Sequence, residues 1–144
     1  MAVTIRPVGA DAPEYWKVWQ LREDVLRRPL GMSLKNEDLS ADAGDTIMIA
    51  EENGEVIGCL MLHDIGRPQV KFRQMAVAAA WQSKGIGRML IEAGEAWARQ
   101  KGYSGVVLHA RMAASGFYSK LGYVPSGEIF TEVGIPHVLM TREL

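Results

Sequence analysis

Two hydrophobic periods follow one another in the middle of the chain, and this change constrains the fold more than any other feature. Residues 46–52 (TIMIAEE) and 55–65 (EVIGCLMLHDI) read as strands on either side of Asn53-Gly54, a dipeptide typical of hairpins because both turn positions need a positive φ. A third strand is predicted over 69–78. From about Lys84 to Lys101 the apolar residues recur instead at helical spacing. The sequence therefore predicts a meander followed by a long amphipathic helix.

The remaining segments complete an alternation of strands and helices. We predict a strand over 3–8, a helix over about 12–27, a buried strand over 105–110, a short helix within 113–123, then a loop and a strand, and a last strand in 137–144. Residues 28–45 carry turn formers without a sustained period and are predicted to form a long loop, of the kind that is often functional. The order β-α-β-β-β-α-β-α-β-β indicates a mixed α/β or α+β fold in one domain, residues 1–144.

The third strand contains a change of side-chain parity. Val70 and Phe72 share one face of a regular strand, whereas Met75 and Val77 would fall on the other. A β-bulge near Arg73-Gln74 explains this pattern, and a strand exposed differently at its two ends explains it equally well.

Both long helices are predicted to bury one apolar stripe. For the first helix Asp11 is the predicted cap, and the stripe is Trp16, Trp19, Val25 and Leu26. For the second helix, which Gly102 should end, the stripe is Ile86, Met89, Leu90, Ala93 and Trp97. Its outward face is predicted to carry Arg88, Glu92, Glu95 and Arg99.

Composition narrows the class of protein. The chain has 144 residues, 48% of them hydrophobic, with 16 basic and 17 acidic side chains and a net charge of −1. No segment is strongly basic, which disfavours a nucleic-acid binder. No apolar run approaches the roughly 18 residues of a membrane span, and the first residues do not resemble a signal peptide. The single Cys59 cannot form an internal disulfide, so we expect a cytoplasmic protein in which this thiol packs in the core.

The junction between the third strand and the second helix is a candidate anion site. It reads WQSKGIGR over 81–88, with Gly85 and Gly87 at the predicted helix start and Lys84 and Arg88 beside them. A helix N-terminus offers unpaired N–H groups and a partial positive charge, and glycine lets a phosphate approach the backbone. From these residues alone, a glycine-rich loop without a ligand is equally compatible.

Two familiar phosphate motifs are excluded. A dinucleotide fingerprint would need a third glycine where Leu90 stands, after a parallel strand rather than a meander. A P-loop would need a glycine, four intervening residues and then Gly-Lys-Ser/Thr, and the chain has no such run.

The residues that remain resemble a known family. The run QMAVAAAWQSKGIGRMLIEAGEAWARQKGY resembles motif A of the GNAT family of acyl-CoA N-acyltransferases, a strand, then Arg/Gln-x-x-Gly-x-Gly/Ala, then a long helix. The later run LHARMAASGFYSKLGYVPSGE resembles the family's second landmark, a strand and a short helix with an aromatic-Tyr pair before LGY. Strand order and length also agree over almost the whole chain. The resemblance implies the GNAT fold, with a splayed and mostly antiparallel central sheet.

The resemblance also implies a site for acetyl-CoA. In this family the glycine loop binds the pyrophosphate, which here implicates Gln82, Ser83, Lys84, Gly85, Ile86, Gly87 and Arg88. The backbone groups expected to pair with pantetheine belong to Met75, Ala76 and Val77, and the Val77 N–H is our choice for stabilising the oxyanion. Tyr118 matches the tyrosine that protonates or hydrogen-bonds the leaving thiolate. The acyl group would be attacked directly by an amine in a ternary complex.

Other site residues are less determined. His109 stands where many relatives carry an asparagine that contacts the cofactor, and a buried structural histidine is an equal alternative. His137 matches an IPH signature of some branches and, with Glu132 and His109, is a candidate for the general base. Arg22 and Arg27 lie where the family's first helix and loop form the acceptor wall, so an acidic or phosphorylated acceptor is one reading; a solvated charged face is the alternative.

The function that the resemblance implies is an acetyl-CoA-dependent N-acetyltransferase acting on a primary amine of a small molecule or protein. The alternative is a non-catalytic acyl-CoA-binding module, which would not need Tyr118. We expect no metal, no nucleic-acid partner and no membrane association. A homodimer that pairs through residues 137–144 is also predicted, because this terminal segment is apolar and β-prone.

Overall fold

A computed structural model describes residues 2–144, which form seven strands in one sheet and three α-helices. The strands are β1 (Thr4–Gly9), β2 (Thr46–Glu52), β3 (Glu55–Asp64), β4 (Gln69–Val77), β5 (Gly105–Arg111), β6 (Val124–Glu132) and β7 (Ile135–Glu143). The helices are α1 (Tyr15–Arg22), α2 (Ile86–Gln100) and α3 (Ser115–Lys120). The sequential order of elements is the predicted one.

The sheet has the spatial order β1-β2-β3-β4-β5-β7-β6. Only β4 and β5 pair in parallel, and all other neighbours are antiparallel. The β2–β3 hairpin turns at Asn53 and Gly54 with φ of 51° and 75°, as the dipeptide predicts. The mixed, mostly antiparallel fold is therefore confirmed.

The two faces of the sheet bury separate cores. On one face α2 covers a cluster that includes Leu60, Phe72 and Leu90; on the other, α1 covers a cluster that includes Val18 and Ile49. Gly94 lets α2 approach the sheet closely, because a Cβ there would lie 3.0 Å from the Phe72 ring and 3.1 Å from Leu60.

The change of parity in β4 is a β-bulge. Cys59 pairs with Ala76 and Met61 with Arg73, so Gln74 and Met75 together oppose Leu60. Gln74 adopts a φ of 54°, the left-handed conformation that inserts the extra residue. As a result Met75 and Val77 pack in the same core as Val70 and Phe72, whereas Ala76 faces α1. The bulge bends β4 at the point where it leaves β5.

The predicted stripe of the first helix is only partly correct. The helix begins at Tyr15 with Glu14 as its cap, rather than at about residue 12 after a cap at Asp11, and a π-helical turn over Glu23–Arg27 extends it. Val25 and Leu26 pack against the core as predicted, but Trp16 is 70% exposed, and α1 buries Val18, Leu21 and Arg22. A buried arginine lies on the inward face because its charge is paired there, so hydrophobicity alone misplaces the stripe.

The second helix differs from the predicted stripe in a similar way. It ends as expected before Gly102, whose φ is 85°. Met89 is exposed, whereas Glu95 is buried rather than outward. The Glu95 carboxylate accepts hydrogen bonds from the Tyr123 hydroxyl (2.8 Å) and from Arg142 Nη1 (2.8 Å). These partners compensate the buried charge.

The last strand is internal, which removes the basis of the predicted dimer. β7 lies between β5 and β6, so residues 137–141 run between two partner strands, and the sheet edges belong to β1 and β6. The homodimer stays a prediction, and strand pairing between copies would have to use one of those two edges. None of the helices within residues 2–144 has the length and apolar character needed to cross a membrane.

Candidate active site

The central feature of the site is a cleft where β4 and β5 diverge. Their parallel pairing covers only Gln69–Phe72 against Gly105–Leu108, although β4 continues to Val77 and β5 to Arg111. At the end of β4, the Ala78 N–H donates to the Ile57 carbonyl (2.8 Å). In an antiparallel ladder this makes Val77–Gly58 a non-hydrogen-bonded pair, so the Val77 N–H points away from β3. β4 therefore presents an unpaired backbone edge to the cleft.

The loop after β4 has the geometry of an anion-binding helix start. Ser83 and Gly85 have φ of 62° and 83°, and Gly85 precedes α2 without any side-chain cap. The first turn of α2 therefore keeps N–H groups without intrahelical partners, facing solvent beside exposed Lys84. The Gln82 amide donates to the Val77 carbonyl (3.0 Å), which ties the loop to the cleft edge of β4.

Gly87 allows the helix start to approach the other side of the cleft. A Cβ at Gly87 would lie 3.3 Å from the Phe117 ring and 3.6 Å from Met75 Cε. Of the two basic residues at the loop, Arg88 lies 3.5 Å from Glu92, and Lys84 Nζ lies 5.3 Å from the centroid of the Trp81 ring. Lys84 has no carboxylate within salt-bridge distance in residues 2–144. Its positive charge at the edge of the loop is therefore not paired with an acidic side chain there.

Tyr118 of α3 lines the cleft with its ring fixed between two aromatic neighbours. Its centroid lies 5.1 Å from that of Phe117 and 5.9 Å from that of Tyr123, both edge-to-face. Burial raises the pKa of Tyr118 to about 12, because its effect is larger than the opposing effect of the Arg111 charge. The phenol is therefore protonated at neutral pH. Within the described part of the chain its hydroxyl has no hydrogen-bond partner, so this donor is available to a bound molecule.

A cavity of about 460 Å³ continues from the cleft toward the α1 face of the sheet. It brings together three predicted site residues, His109, Glu132 and His137. His109 Nδ1 lies 3.0 Å from Glu132 Oε1, and His137 Nε2 lies 3.6 Å from Glu132 Oε2. The buried His137 ring also contacts the Ile135 carbonyl through Nδ1 (2.9 Å). The candidates for the general base thus form one cluster.

The hydrogen-bond partners indicate where ring protons lie. A carbonyl can only accept, so His137 Nδ1 carries a proton, and its Nε2 faces Glu132 Oε2 at 3.6 Å. An ionised Glu132 also accepts, so His109 Nδ1 donates to it and His109 Nε2 is free to take a proton. The cluster is therefore able to remove a proton from a molecule in the cavity.

The two arginines predicted to meet an acceptor are already paired. Arg22 is 1% exposed, binds Asp42 (2.7 Å) and lies outside the cavity lining, so the structure does not bring it to the other predicted site residues. Arg27 does line the cavity, but it makes two hydrogen bonds to Glu37, at 2.5 and 3.1 Å. Both side chains hold the long loop against the first helix.

Sequence reasoning missed Arg111 and Arg73, which also line the cavity. Arg73 binds the buried carboxylates of Asp42 and Asp45, the latter at 3.0 Å through Nε. Arg111 donates to the Leu26 carbonyl (3.2 Å) and has no carboxylate partner in residues 2–144. The only signal for Arg111 is its position two residues after His109, which puts both side chains on one face of β5.

Comparisons with known proteins agree with this geometry. The family model described as "Acetyltransferase (GNAT) domain" matches residues 43–125. A candidate acetyltransferase of Bacillus subtilis is 37% identical over 131 residues, 87% of this chain and 86% of the relative. The B. subtilis protein YyaT is 34% identical over 98 residues, 68% of this chain and 65% of YyaT, so the match spans slightly less than two thirds of that relative.

Solved structures share the whole fold. A candidate N-acetyltransferase from Lactobacillus plantarum superimposes with a TM-score of 0.90 at 25% identity, covering 100% of this chain and 99% of that one. A GNAT family acetyltransferase from Elizabethkingia anophelis, solved with acetyl-CoA bound, superimposes with a TM-score of 0.72 at 23% identity, covering 99% and 98% of the two chains. At that identity the second likeness concerns the fold alone.

Proposed function

This chain belongs to the GNAT family of acetyltransferases, and from that premise we propose that it transfers an acetyl group from acetyl-CoA to a primary amine. The proposal depends on one observation, a single cleft with three features that suit the parts of acetyl-CoA. The unpaired backbone edge of β4 and the hydroxyl of Tyr118 border it, and Gln82 ties the loop before the helix start at Gly85 to that edge.

The loop and the β4 edge fit the two polar parts of coenzyme A. The N–H groups of residues 85–88, with Lys84 at the rim, suit a pyrophosphate. The cleft edge of β4 suits the pantetheine amides, which can add to it as a strand would. Ala76 pairs with Cys59 of β3, so we assign these contacts to the Met75 backbone and reserve the Val77 N–H, which points away from β3, for the thioester oxygen.

Acetyl transfer needs stabilisation of the negative charge that develops on the thioester oxygen. The Val77 N–H points into the cleft beside the bulge and is our candidate donor. Its carbonyl is held by Gln82, which fixes the orientation of this peptide segment. A donor held in place before the reaction loses little free energy to reorganisation.

The leaving thiolate needs a proton, and Tyr118 is placed to supply it. The phenol borders the cleft and, with its pKa raised to about 12 by burial, is fully protonated at physiological pH. The buried phenol is a weaker acid than a thiol, whose ordinary pKa is near 8.5, so full transfer of its proton to the sulfur is uphill on its own. In the proposed reaction the nitrogen–carbon bond forms, the carbon–sulfur bond breaks, and the Tyr118 hydroxyl hydrogen-bonds and protonates the departing thiolate. The proton that the amine loses then restores Tyr118, so that the thiol gains one proton and the amine loses one.

The amine must lose a proton before or during attack. Glu132 and His109 form the pair best suited to accept it, because the carboxylate orients the imidazole through Nδ1 and leaves Nε2 free. His137 borders the same carboxylate, and its burial holds it in position. The proton would pass from the amine to this cluster, directly or through one water.

The proposal is tested by measuring binding and release separately. Calorimetry with acetyl-CoA should show stoichiometric binding, and thiol release should rise when a panel of amines is added, with the acetylated amine identified by mass. A non-catalytic acyl-CoA-binding module would bind acetyl-CoA but release thiol no faster with any amine. Absence of binding would contradict the proposed cofactor site itself.

A further inference from the structure

The cavity contains more positive charge than its own carboxylates compensate. Arg27 is neutralised by Glu37, and Arg73 is bound by Asp42 and Asp45. This leaves Arg111 and Lys71 as cavity cations with no carboxylate within salt-bridge distance in residues 2–144. Glu132 is engaged with His109 and reaches neither. Two lining cations without a carboxylate partner make the cavity suited to an anionic ligand.

Arg111 is the better built of the two anion sites. Its Nη2 donates to the Leu26 carbonyl (3.2 Å), which also accepts from Arg27 Nη1 (3.1 Å). The π-helical turn that contains Leu26 thus anchors the guanidinium, and residues 2–144 supply no partner for its other donors. A fixed, planar fork suits a carboxylate or phosphate oxygen pair better than the flexible ammonium of Lys71.

The electrostatic environment of Arg111 points the same way. Burial, and then the positive charge of Arg27, lower the pKa of Arg111, while Tyr118 and Glu132 partly oppose them. The guanidinium stays charged because its ordinary pKa is above 12. Its charge is therefore incompletely solvated, and a bound anion would restore the lost interaction.

Arg111 lies next to the groups proposed to deprotonate the amine. It is the direct cross-strand partner of His137 in the β5–β7 pair, and His109 lies two residues before it on the same face of β5. Directly opposite residues have Cβ atoms about 5 Å apart. An anionic group held by Arg111 and an amine nitrogen at the His109–Glu132 pair would consequently belong to one small molecule.

Resting on the proposed acetyl transfer, we propose that the acceptor is a small amine that carries a carboxylate or phosphate a few bonds from its nitrogen, and that Arg111 binds this group. The anionic acceptor suggested by Arg22 and Arg27 is thus reassigned to a different arginine. Arg111 is here a specificity residue, and it takes no part in the movement of protons.

The test compares anionic amines with neutral counterparts. The probes are the standard α-amino acids with their carboxamides, and phosphoethanolamine with ethanolamine. For each pair, kcat/KM is measured in the wild type, Arg111→Met, Arg111→Lys and Lys71→Met. Rates are expressed per concentration of unprotonated amine, so differences in amine pKa within a pair do not affect the comparison.

The wild type should prefer the anionic member of at least one pair by about tenfold to hundredfold, the range of a charge-assisted hydrogen-bonded pair. Arg111→Met should bring this ratio of kcat/KM values close to one, mainly by raising the KM of the anionic amine. Arg111→Lys should restore part of the preference, and Lys71→Met should leave the preference unchanged. Whether carboxylate or phosphate is the natural group follows from which pair reacts.

If the wild type acetylates a probe, three results would overturn the inference. These are a wild-type preference for neutral amines, an anionic preference that survives in Arg111→Met, and a preference that is lost in Lys71→Met instead. A wild type that binds acetyl-CoA yet acetylates no probe also overturns it. Acetylation of neutral amines would leave the proposed transferase intact, so the two proposals fail separately.

Discussion

Replacing Asp42 by asparagine should remove the charge that holds the acceptor-side loop to the sheet. The Asp42 carboxylate is 2% exposed and is bound by Arg22 (2.7 Å), by the Tyr15 hydroxyl (2.6 Å) and by Arg73. Asparagine keeps the shape and can still accept a hydrogen bond, but it leaves the fully buried Arg22 without an opposite charge. Breaking one side of a buried ion pair costs about 3–5 kcal/mol.

Because Tyr15 and Arg22 can still donate to the amide oxygen, we expect a loss at the lower end of this range. The free energy of unfolding should fall by about 3 kcal/mol. Urea unfolding with an unchanged m-value near 2 kcal/mol/M would then show a midpoint lowered by about 1.5 M. The matched control is Asp24→Asn, which breaks an exposed ion pair with Arg28 (3.1 Å, side chains 44% and 69% exposed). That variant should lose no more than about 0.5 kcal/mol.

The effect should also depend on pH in one direction. Burial alone would raise the pKa of Asp42, but the hydrogen bonds from Tyr15 and Arg22 outweigh it and hold the pKa below its ordinary value of 3.8. A lowered carboxyl pKa stabilises the folded state above the unfolded pKa and loses that contribution as pH falls through the folded one. The stability difference between wild type and Asp42→Asn should therefore be constant from pH 5 to 8 and shrink below about pH 4. A difference under 1 kcal/mol at pH 7 would refute the role assigned to this buried cluster.

Two further predictions concern binding and proton transfer. Gly85→Val forces a β-branched residue into a φ of 83° at the start of α2 and should weaken acetyl-CoA binding at least about tenfold by calorimetry, whereas Gly54→Val, strained at a φ of 75° in the distant hairpin, should leave the affinity unchanged. Equal losses in both variants would show a general folding defect rather than a phosphate site. Glu132→Gln should lower kcat by about a hundredfold, the low end for a lost proton-transfer group, without changing acetyl-CoA affinity; full turnover would exclude the carboxylate from the base.

The order of elements was predictable because each carries a local signal. Positive φ at Asn53-Gly54 and the parity change at Arg73-Gln74 both have causes within a few residues, and both are confirmed. The GNAT resemblance, confirmed by the family comparison, depends on the same kind of contiguous pattern around Gly85 and Gly87.

What the sequence could not indicate depends on partners distant in the chain. Arg22 and Glu95 are buried because Asp42 and Arg142, 20 and 47 residues away, neutralise them. A periodicity of hydrophobic residues treats such side chains as exposed, so both helix stripes were partly misplaced. The same limitation applies to Arg27 and Arg111, because the sequence does not show which of the two arginines has a carboxylate partner. Only the fold reveals that Glu37 neutralises Arg27 and that no carboxylate in residues 2–144 does so for Arg111.

The most direct test of the proposed mechanism is steady-state kinetics of Tyr118→Phe, with any amine that the wild type acetylates. The substitution keeps the ring that packs on Phe117 and Tyr123 and removes only the hydroxyl. The matched control is Tyr123→Phe, which loses a buried hydroxyl bound to Glu95 (2.8 Å) that does not line the cavity.

If Tyr118 protonates the leaving thiolate, kcat should fall at least about tenfold, because the interaction forms mainly in the transition state. The KM for acetyl-CoA should change much less, and Tyr123→Phe should lose stability but retain kcat. Equal turnover in wild type and Tyr118→Phe would contradict the account, since the thiolate would then leave without the one protein group placed to protonate it.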